Sequence, residues 1–288
     1  MNYWVYMSKI YLGLPQWHHR EWYPHTSSAP EALGLYTHSF SSVEGNLSFY
    51  GIPSQKNIQS WDNVTPSGFK FCFKFPKEIS HKQGLTNCSR QVCEFLNRIR
   101  ILNSKLGVVW LQLDQYFAAS SMHKLERFLR DLPTEFDYAV EVRNLEFYQK
   151  DAVERQLNQL LQRLAINRVI FDTRSFFAND SLSDSATIDA LKVKPQVPTH
   201  ALNTGRFPFV RILLPMDISL GMYVIKQWVS KVVSWLDEGL VPYLFFHTPD
   251  NASAPQLAKT FSQLLNQQRP EVKIISLWNE LAPQRDLF

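Results

Sequence analysis

The sequence predicts an α/β fold, and specifically a single-domain TIM (β/α)8 barrel. Eight short apolar segments recur along the 288 residues, and amphipathic helical patterns separate most of them. Strands that alternate with helices pair in parallel through right-handed crossovers. Eight such units in this length fit a closed barrel better than an open, doubly wound sheet. The glycine-rich phosphate loops typical of nucleotide-binding folds are also missing from the sequence.

The predicted strands are short runs of apolar residues. They lie at 10–14, 41–46, 70–75, 107–113, 137–142, 167–172, 207–214 and 241–247. Apolar residues at helical spacing predict the helices between them. These helices lie at 31–38, 58–64, 89–105, 125–132, 153–164, 185–192, 220–236 and 257–264. Ser253 can cap the last helix and Pro255 fits its first turn, whereas 175–207 reads as a long polar loop around one helix.

We expect one barrel domain at 10–269, preceded by an N-terminal extension at 1–9 and followed by a loosely attached tail at 270–288. The three cysteines are an odd number without zinc-site spacing, which indicates reduced thiols in a cytoplasmic protein. No apolar stretch is long enough to cross a membrane, and the N-terminus lacks the pattern of a signal peptide. We expect a monomer.

The stretch AVEVRNLEFY (139–148) carries the most informative charges in the chain. Glu141 and Arg143 are two residues apart in a strand pattern, so their side chains share one face with Ala139. Burying charges at the end of an apolar strand costs free energy unless they are paired or used. We therefore place this pair at the mouth of the barrel, where the fifth strand ends.

Polar side chains follow nearly every predicted strand, at the end of the barrel where such enzymes place their chemistry. They are Gln16, Trp17, Glu44, Asn46, Lys74, His81, Gln112, Glu141, Arg143, Asp172, Arg174, Arg211 and His247. A ring of this kind predicts a functional pocket. The alternative is a buried ion-pair network that closes the barrel without any substrate, for example between Glu141 and Arg143 or between Asp172 and Arg174.

Cations outnumber carboxylates in this ring, because Lys74, Arg143, Arg174 and Arg211 face only three acidic residues. Forked guanidinium groups suit phosphate and carboxylate ligands. We therefore expect a small anionic substrate, phosphate-bearing or sugar-like. The net charge of +4 permits an anionic partner but does not require one.

Acid/base chemistry would fall to Glu141, Glu44 and His81, with His247 as a further candidate. On this interpretation the protein is a hydrolase or an isomerase. A divalent metal could bind Glu44, Glu141, Asp172 and a histidine, although no compact ligand motif is present.

Aromatic residues could form a stacking wall at the mouth. They are Trp17, Trp22, Tyr23 and Tyr50. The alternative for each of them is ordinary packing over the end of the barrel.

Several motifs resemble the YecE-like family, a group of bacterial and archaeal proteins of unknown function. They are IYLGLPQW (10–17), VEGNLSFYGIP (43–53), FKFCFKFPKEISHKQGL (69–85), LGVVWLQLDQYF (106–117), AVEVRNLEFY (139–148), NRVIFDTR (167–174) and PYLFFHTPDNASAP (242–255). The chain is most similar to the enterobacterial type. The resemblance implies a TIM barrel with a polar pocket at Glu44, Lys74, His81, Glu141 and Arg143, and it supplies no reaction.

Two positions depart from the family pattern. Many relatives have two prolines where this chain has Asp114 and Gln115. Many also have an asparagine pair where this chain has His247 and Thr248. The resemblance therefore leaves open which polar group the eighth strand contributes.

A second function is a DNA-associated role. The last five residues, QRDLF (284–288), resemble the short peptide by which bacterial replication and repair proteins bind the sliding clamp. Gln284, Leu287 and Phe288 would be its anchors. The barrel would then be a metal-dependent nuclease or repair factor, or a protein that binds without catalysis.

Overall fold

Eight parallel strands form a nearly closed barrel in the computed structural model, which describes residues 9–23, 26, 28–178 and 184–281. The strands are β1 (Tyr11–Leu14), β2 (Ser42–Gly45), β3 (Lys70–Phe73), β4 (Val109–Gln112), β5 (Tyr138–Glu141), β6 (Asn167–Asp172), β7 (Phe209–Leu213) and β8 (Tyr243–His247). Each lies within its predicted segment. The α/β TIM-barrel class predicted from the sequence is confirmed.

The strands follow the order β3-β2-β1-β8-β7-β6-β5-β4, so consecutive strands are neighbours and β1 pairs with β8. The two ends of this sheet meet through isolated bridges between β3 and β4. There the Phe75 amide donates to the Trp110 carbonyl at 2.9 Å, and the Gly107 amide donates to the Phe71 carbonyl at 2.8 Å. At this seam, isolated bridges take the place of the ladders that join the other strand pairs.

The α-helices cover the outside of the barrel. They are α1 (Ala29–Ser39), α2 (Gln55–Val64), α3 (Ser89–Ile99), α4 (Met122–Arg130), α5 (Ala152–Arg163), α6 (Arg174–Phe177), α7 (Ser185–Val193), α8 (Met222–Asp237), α9 (Ala254–Gln268) and α10 (Trp278–Leu281). The predicted helix at 89–105 is divided, because Asn103 has a φ of 46° and the chain from Arg100 forms a 3-10 segment. Ser253 precedes α9 without a capping hydrogen bond from its side chain, and Pro255 lies in the first turn as predicted.

Side-chain alternation divides the core into two layers. One face of the strands fills the barrel with Tyr11, Cys72, Val108, Trp110, Ala139, Val169, Phe209, Tyr243 and Phe245. The other face packs against the helices in a larger apolar layer. Every second side chain of a strand points into the lumen, and toward the carboxyl ends of the strands these inward positions become polar. The polar residues at these positions are Glu44, Lys74, Gln112, Glu141, Arg211 and His247.

The segment after α9 is packed more firmly than the sequence suggests. Val272, Ile275 and Leu277 are buried, and the Ile275 amide donates to the Ser262 hydroxyl at 2.9 Å. The tail predicted as loosely attached is therefore joined to α9 as far as the structure describes it. Most of the predicted N-terminal extension (1–9) and the QRDLF peptide (284–288) lie outside the described residues.

Replacing Gly13 with alanine should destabilise the barrel. A Cβ atom there would lie 2.2 Å from the Ser42 carbonyl oxygen, so the β1–β2 pair would have to separate. We expect a loss of about 1–3 kcal/mol in the free energy of unfolding, measured by chemical denaturation.

Gly34→Ala is the matched control, because a Cβ atom there has no neighbour within 4 Å and Gly34 lies inside α1. Alanine favours helix over glycine by up to about 1 kcal/mol, so this variant should be neutral or more stable. Equal stability of the two variants would contradict the close approach of β1 and β2.

Candidate active site

A guanidinium group at the centre of the barrel mouth joins two carboxylates. Arg211 of β7 donates from Nε and Nη2 to both oxygens of Glu44, at 3.1 and 2.8 Å. Its Nη1 donates to Glu141 Oε2 at 2.7 Å. All three side chains are buried. The network therefore connects β7 to β2 and β5 across the lumen.

Further donors complete the coordination of Glu44. Asn46 donates from Nδ2 to Oε1 at 2.8 Å, and His247 Nε2 lies 3.0 Å from Oε2. Burial lowers the pKa of His247 to about 4 against the opposing effect of Glu44. The ring is therefore neutral near pH 7 and donates its Nε2 proton to the carboxylate.

Arg143 extends the network toward solvent. Its Nε donates to Glu141 Oε1 at 2.7 Å, while its side chain stays partly exposed. Within the described part of the chain, no hydrogen bond involves the Nη1 or Nη2 atoms of Arg143. Half of this guanidinium group is thus fixed by Glu141, and the other half is available to a ligand.

Both carboxylates remain ionised near neutral pH. Burial alone would raise the pKa of Glu141, but Arg143, Arg211 and Lys74 hold it at about 2. Burial has the same effect on Glu44, and Arg211 and His247 hold its pKa well below the usual value. A carboxylate with such a low pKa is a weak base, so the electrostatics favour holding Arg211 and Arg143 over accepting protons.

Lys74 and His81 form a second polar group beside this network. Lys74 Nζ donates to Gln112 Oε1 at 2.7 Å, and Gln112 Nε2 lies 3.5 Å from His81 Nε2. The Ser80 hydroxyl is 2.8 Å from His81 Nδ1. These contacts assign the proton to Nδ1 and leave Nε2 as the acceptor facing Gln112. Burial lowers the pKa of His81, which agrees with this neutral form.

A cation that the sequence analysis did not select also lies at the mouth. Lys194 follows α7 in the long loop before β7, and burial, with Arg211 next in effect, lowers its pKa to about 8. No hydrogen bond or ion pair of its ammonium group occurs within the described residues. Lys194 and Arg143 line a cavity of about 450 Å³ together with Tyr116, Leu145 and Val193. The strand pattern of the sequence did not reveal Lys194, because this residue lies in an irregular loop.

Asp172 and Arg174 do not join the central network. Asp172 is one residue past the inward-facing Phe171, so its side chain points to the helical layer and accepts from Trp228 Nε1 at 2.8 Å. Arg174 donates to Asp172 from Nη2 at 2.8 Å and is partly exposed. This pair fixes the start of α6 against α8.

The aromatic candidates occupy different environments. Trp17 is buried and packs edge-on against Trp61 with ring centroids 5.0 Å apart. Trp22 is also buried and donates from Nε1 to the Ala252 carbonyl at 3.0 Å. Tyr50, in contrast, is 83% exposed beyond β2. Of these three residues, only Tyr50 presents an exposed ring, which contacts Phe49 edge-on with ring centroids 5.4 Å apart.

Metal and thiol chemistry find little support in the residues that the structure describes. Among them, no three His, Cys, Asp or Glu side chains come close enough together to hold a metal ion. All three cysteines are free thiols, and burial raises the pKa of Cys72, inside the barrel, to about 12. In the same described ranges, no helix combines the length and apolar character needed to span a membrane.

The lowered pKa of His247 predicts a pH dependence of stability. The unfolded chain takes up a proton near pH 6.5 and the folded chain only near pH 4, so stability falls as the pH falls through this interval. The whole interval corresponds to about 3 kcal/mol. His247→Asn should flatten this part of the profile, measured by denaturant unfolding at several pH values.

A weaker slope should remain in His247→Asn, because burial also lowers the pKa of His81 and because the folded chain holds the pKa values of Glu44 and Glu141 below their ordinary values. His123→Asn is the control, since His123 is exposed on α4 and should leave the profile unchanged. A wild-type profile that stays flat between pH 6.5 and 4 would contradict a buried neutral His247.

Known proteins resemble this chain in sequence and in fold. A family model described as "Protein of unknown function DUF72" matches residues 11–284. UPF0759 protein YecE of Escherichia coli (strain K12) is 39% identical over 263 residues, which cover 91% of this chain and 95% of the relative. The YecE protein of Escherichia coli O157:H7 is 38% identical over the same length and shares of each chain.

Solved structures of the family have the same barrel. A DUF72 family protein from Enterococcus faecalis V583 has a TM-score of 0.65 and 20% identity, covering 89% of this chain and 95% of its own. A second, from Thermotoga maritima MSB8, has a TM-score of 0.66 and 18% identity, covering 90% and 99%. At these identities the likeness concerns the fold alone. The family match and the identity to YecE show that this chain belongs to the DUF72 family, in agreement with its YecE-like motifs.

Proposed function

We propose that the protein is an enzyme that acts by acid/base chemistry on a small anionic molecule, phosphate-bearing or sugar-like, at the mouth of its barrel. One observation carries this proposal. Arg143 and Lys194 line the same cavity of about 450 Å³, and both have donors without partners in the described residues. Beside the cavity, the Nη1 and Nη2 atoms of Arg143 and the ammonium group of Lys194 have no partner among the described residues, and such donors are suited to an anionic ligand.

The fully buried arginines of the described residues differ from the partly buried Lys194. Arg211 has two carboxylate partners, and Arg168 pairs with Glu154 at 3.0 Å. Charges that serve the fold are neutralised in this way, because an unpaired buried charge is costly. The missing partner of Lys194 is therefore best supplied by a ligand.

The charge balance at the mouth supports the same ligand class. Lys74, Arg143, Lys194 and Arg211 face only Glu44 and Glu141 among the groups that shift each other's pKa values there. Arg143 offers a flat pair of donors, and Lys194 offers a compact charge. A phosphate or carboxylate group between them would gain charge-assisted hydrogen bonds.

The cavity also has an apolar wall. Tyr116 is 82% exposed, and Leu145 and Val193 are exposed beside it. Exposed apolar side chains that border a cationic pocket favour a ligand with an apolar or planar part next to its anionic group.

Acid/base roles follow from the electrostatics of the mouth. Glu141 and Glu44 were the first candidates from the sequence, but their low pKa values favour an anchoring role. Burial lowers the pKa of Lys74 to about 7, although Glu141 opposes this shift. Lys74 can therefore gain or lose a proton near neutral pH, and the neutral His81 ring can accept one. We assign the proton transfers to Lys74 and His81.

A DNA-associated role is the second candidate. Tyr50 and Tyr116, more than four-fifths exposed, follow β2 and β4 at the same end of the barrel as Arg143 and Lys194. Aromatic rings beside cations are the elements that bind single-stranded nucleic acid. The clamp-binding peptide QRDLF lies outside the described residues and stays a prediction.

The anion site predicts stabilisation by inorganic phosphate. Phosphate should raise the melting temperature of the wild-type protein, and Arg143→Met or Lys194→Met should weaken its affinity by about tenfold each. Differential scanning fluorimetry over a phosphate series at constant ionic strength measures both effects.

Lys226→Met is the matched control, because Lys226 is an exposed lysine on α8, away from the cavity. It should keep the full response to phosphate. A phosphate response that is absent, or equal in all four proteins, would rule out the proposed anion site.

The nucleic-acid candidate makes a separate prediction. A fluorescent single-stranded oligonucleotide should bind with an affinity that falls as salt rises, and Tyr50→Ala with Tyr116→Ala should weaken binding by about tenfold or more. Fluorescence anisotropy measures this. Unchanged binding in the double variant would contradict stacking on these tyrosines, and absent binding by the wild type would remove this candidate.

A further inference from the structure

Lys74 differs from the cations that support the fold. Its Nζ lies in the lumen, and the one hydrogen bond that it makes among the described residues goes to the neutral carbonyl oxygen of Gln112. No carboxylate lies within ion-pair distance of Nζ in the described residues. Arg211, Arg168 and Arg143 each have such a carboxylate. A buried amine held by a neutral acceptor is suited to changing its protonation state.

Apolar surfaces surround this amine. The Phe49 ring centroid lies 3.6 Å from Lys74 Nζ, and the Trp110 ring centroid lies 5.0 Å away. Burial disfavours the ammonium form, and Arg211 and Arg143 lower the pKa of Lys74 further. Near pH 7 a large share of the protein therefore has a free lone pair on this nitrogen. Desolvation and neighbouring cations are the two means by which enzymes prepare a nucleophilic lysine.

A histidine that can accept a proton lies near the amine. Gln112 contacts both Lys74 Nζ and His81 Nε2, and His81 is half-buried near the surface. With its proton on Nδ1, His81 presents the lone pair of Nε2 toward Gln112. In this neutral form His81 can accept a proton from a substrate bound at the mouth.

We propose that Lys74 forms an imine with the carbonyl group of an oxo acid or a phosphorylated ketone or aldehyde. This inference rests on the proposed function, because the anionic group of the substrate would be held by Arg143 and Lys194. The Nζ lone pair forms a bond to the carbonyl carbon, and the carbon–oxygen bond breaks. The oxygen leaves as water with the two amine protons, so no oxidant or reductant is needed.

The imine then serves as an electron sink. A proton on its nitrogen withdraws electrons from the neighbouring carbon–hydrogen or carbon–carbon bond, which allows isomerisation or cleavage beside the former carbonyl group. Glu141 and Glu44 do not take part in bond formation, because they stay ionised and hold the guanidinium groups in place.

Reductive trapping tests the proposal. Full-length protein is incubated with sodium cyanoborohydride and one of two anionic carbonyl probes, pyruvate or dihydroxyacetone phosphate. Intact-mass and peptide mass spectrometry should find one adduct per chain, on Lys74. Its rate should be half-maximal near pH 7, the pKa of Lys74, whereas surface lysines need a much higher pH.

Variants locate the reaction. Lys74→Arg keeps a positive charge and Lys74→Met keeps the length of the side chain, and the adduct should be lost in both. Lys226→Arg should keep it. Melting curves establish that each variant is folded, and Lys74→Met should be more stable than wild type, since it removes a buried amine.

The outcomes separate this inference from the proposed function. Absence of a Lys74 adduct with both probes, or an adduct that persists in the folded Lys74 variants, overturns the imine. The phosphate response then still tests the anion site independently. Acetone and dihydroxyacetone, the uncharged counterparts, should need about tenfold higher concentrations. Equal labelling by charged and uncharged probes would keep the imine and reject the anion site.

Discussion

The shared guanidinium group of Arg211 determines the arrangement of the barrel mouth. It holds Glu44 by two hydrogen bonds and Glu141 by one, across three strands that are distant in sequence. Buried charges are costly, so the arrangement persists only because each carboxylate has further donors. Asn46 and His247 serve Glu44, and Arg143 serves Glu141. The network thereby fixes the carboxylates and leaves the outer half of one guanidinium group free.

The same end of the barrel combines charged groups that stabilise the fold with buried amines that cost it free energy. The carboxylates, Arg211 and neutral His247 satisfy one another, which is typical of a structural ion-pair network. Lys74 and Lys194 are different, because burial lowers the pKa of each and no carboxylate of the described residues is in contact with either ammonium group. Natural proteins retain such costs mainly where function requires them. The network interpretation therefore fits the carboxylates and Arg211, and the pocket interpretation stays a proposal for the two lysines.

The sequence predicts the strands well because apolar runs and alternation carry that information directly. It also places Glu44, Glu141, Arg211 and Lys74 at one end of the barrel. The sequence analysis places Asp172 at the mouth, but its side chain points toward the helices. A shift of one residue along a strand moves a side chain from the lumen to the helical layer. Lys194 could not be found either, since a loop without periodicity presents it. The polar ends of the strands are thus predictable from sequence, whereas contributions from loops need coordinates.

The Phe49 ring over Lys74 has a consequence for the order of events. A ring face at 3.6 Å from Lys74 Nζ stabilises the ammonium form, and Phe49 belongs to the 3-10 segment that follows β2. A ligand that displaced this ring would remove that stabilisation. On the proposed function, ligand binding and deprotonation of the amine would therefore favour each other.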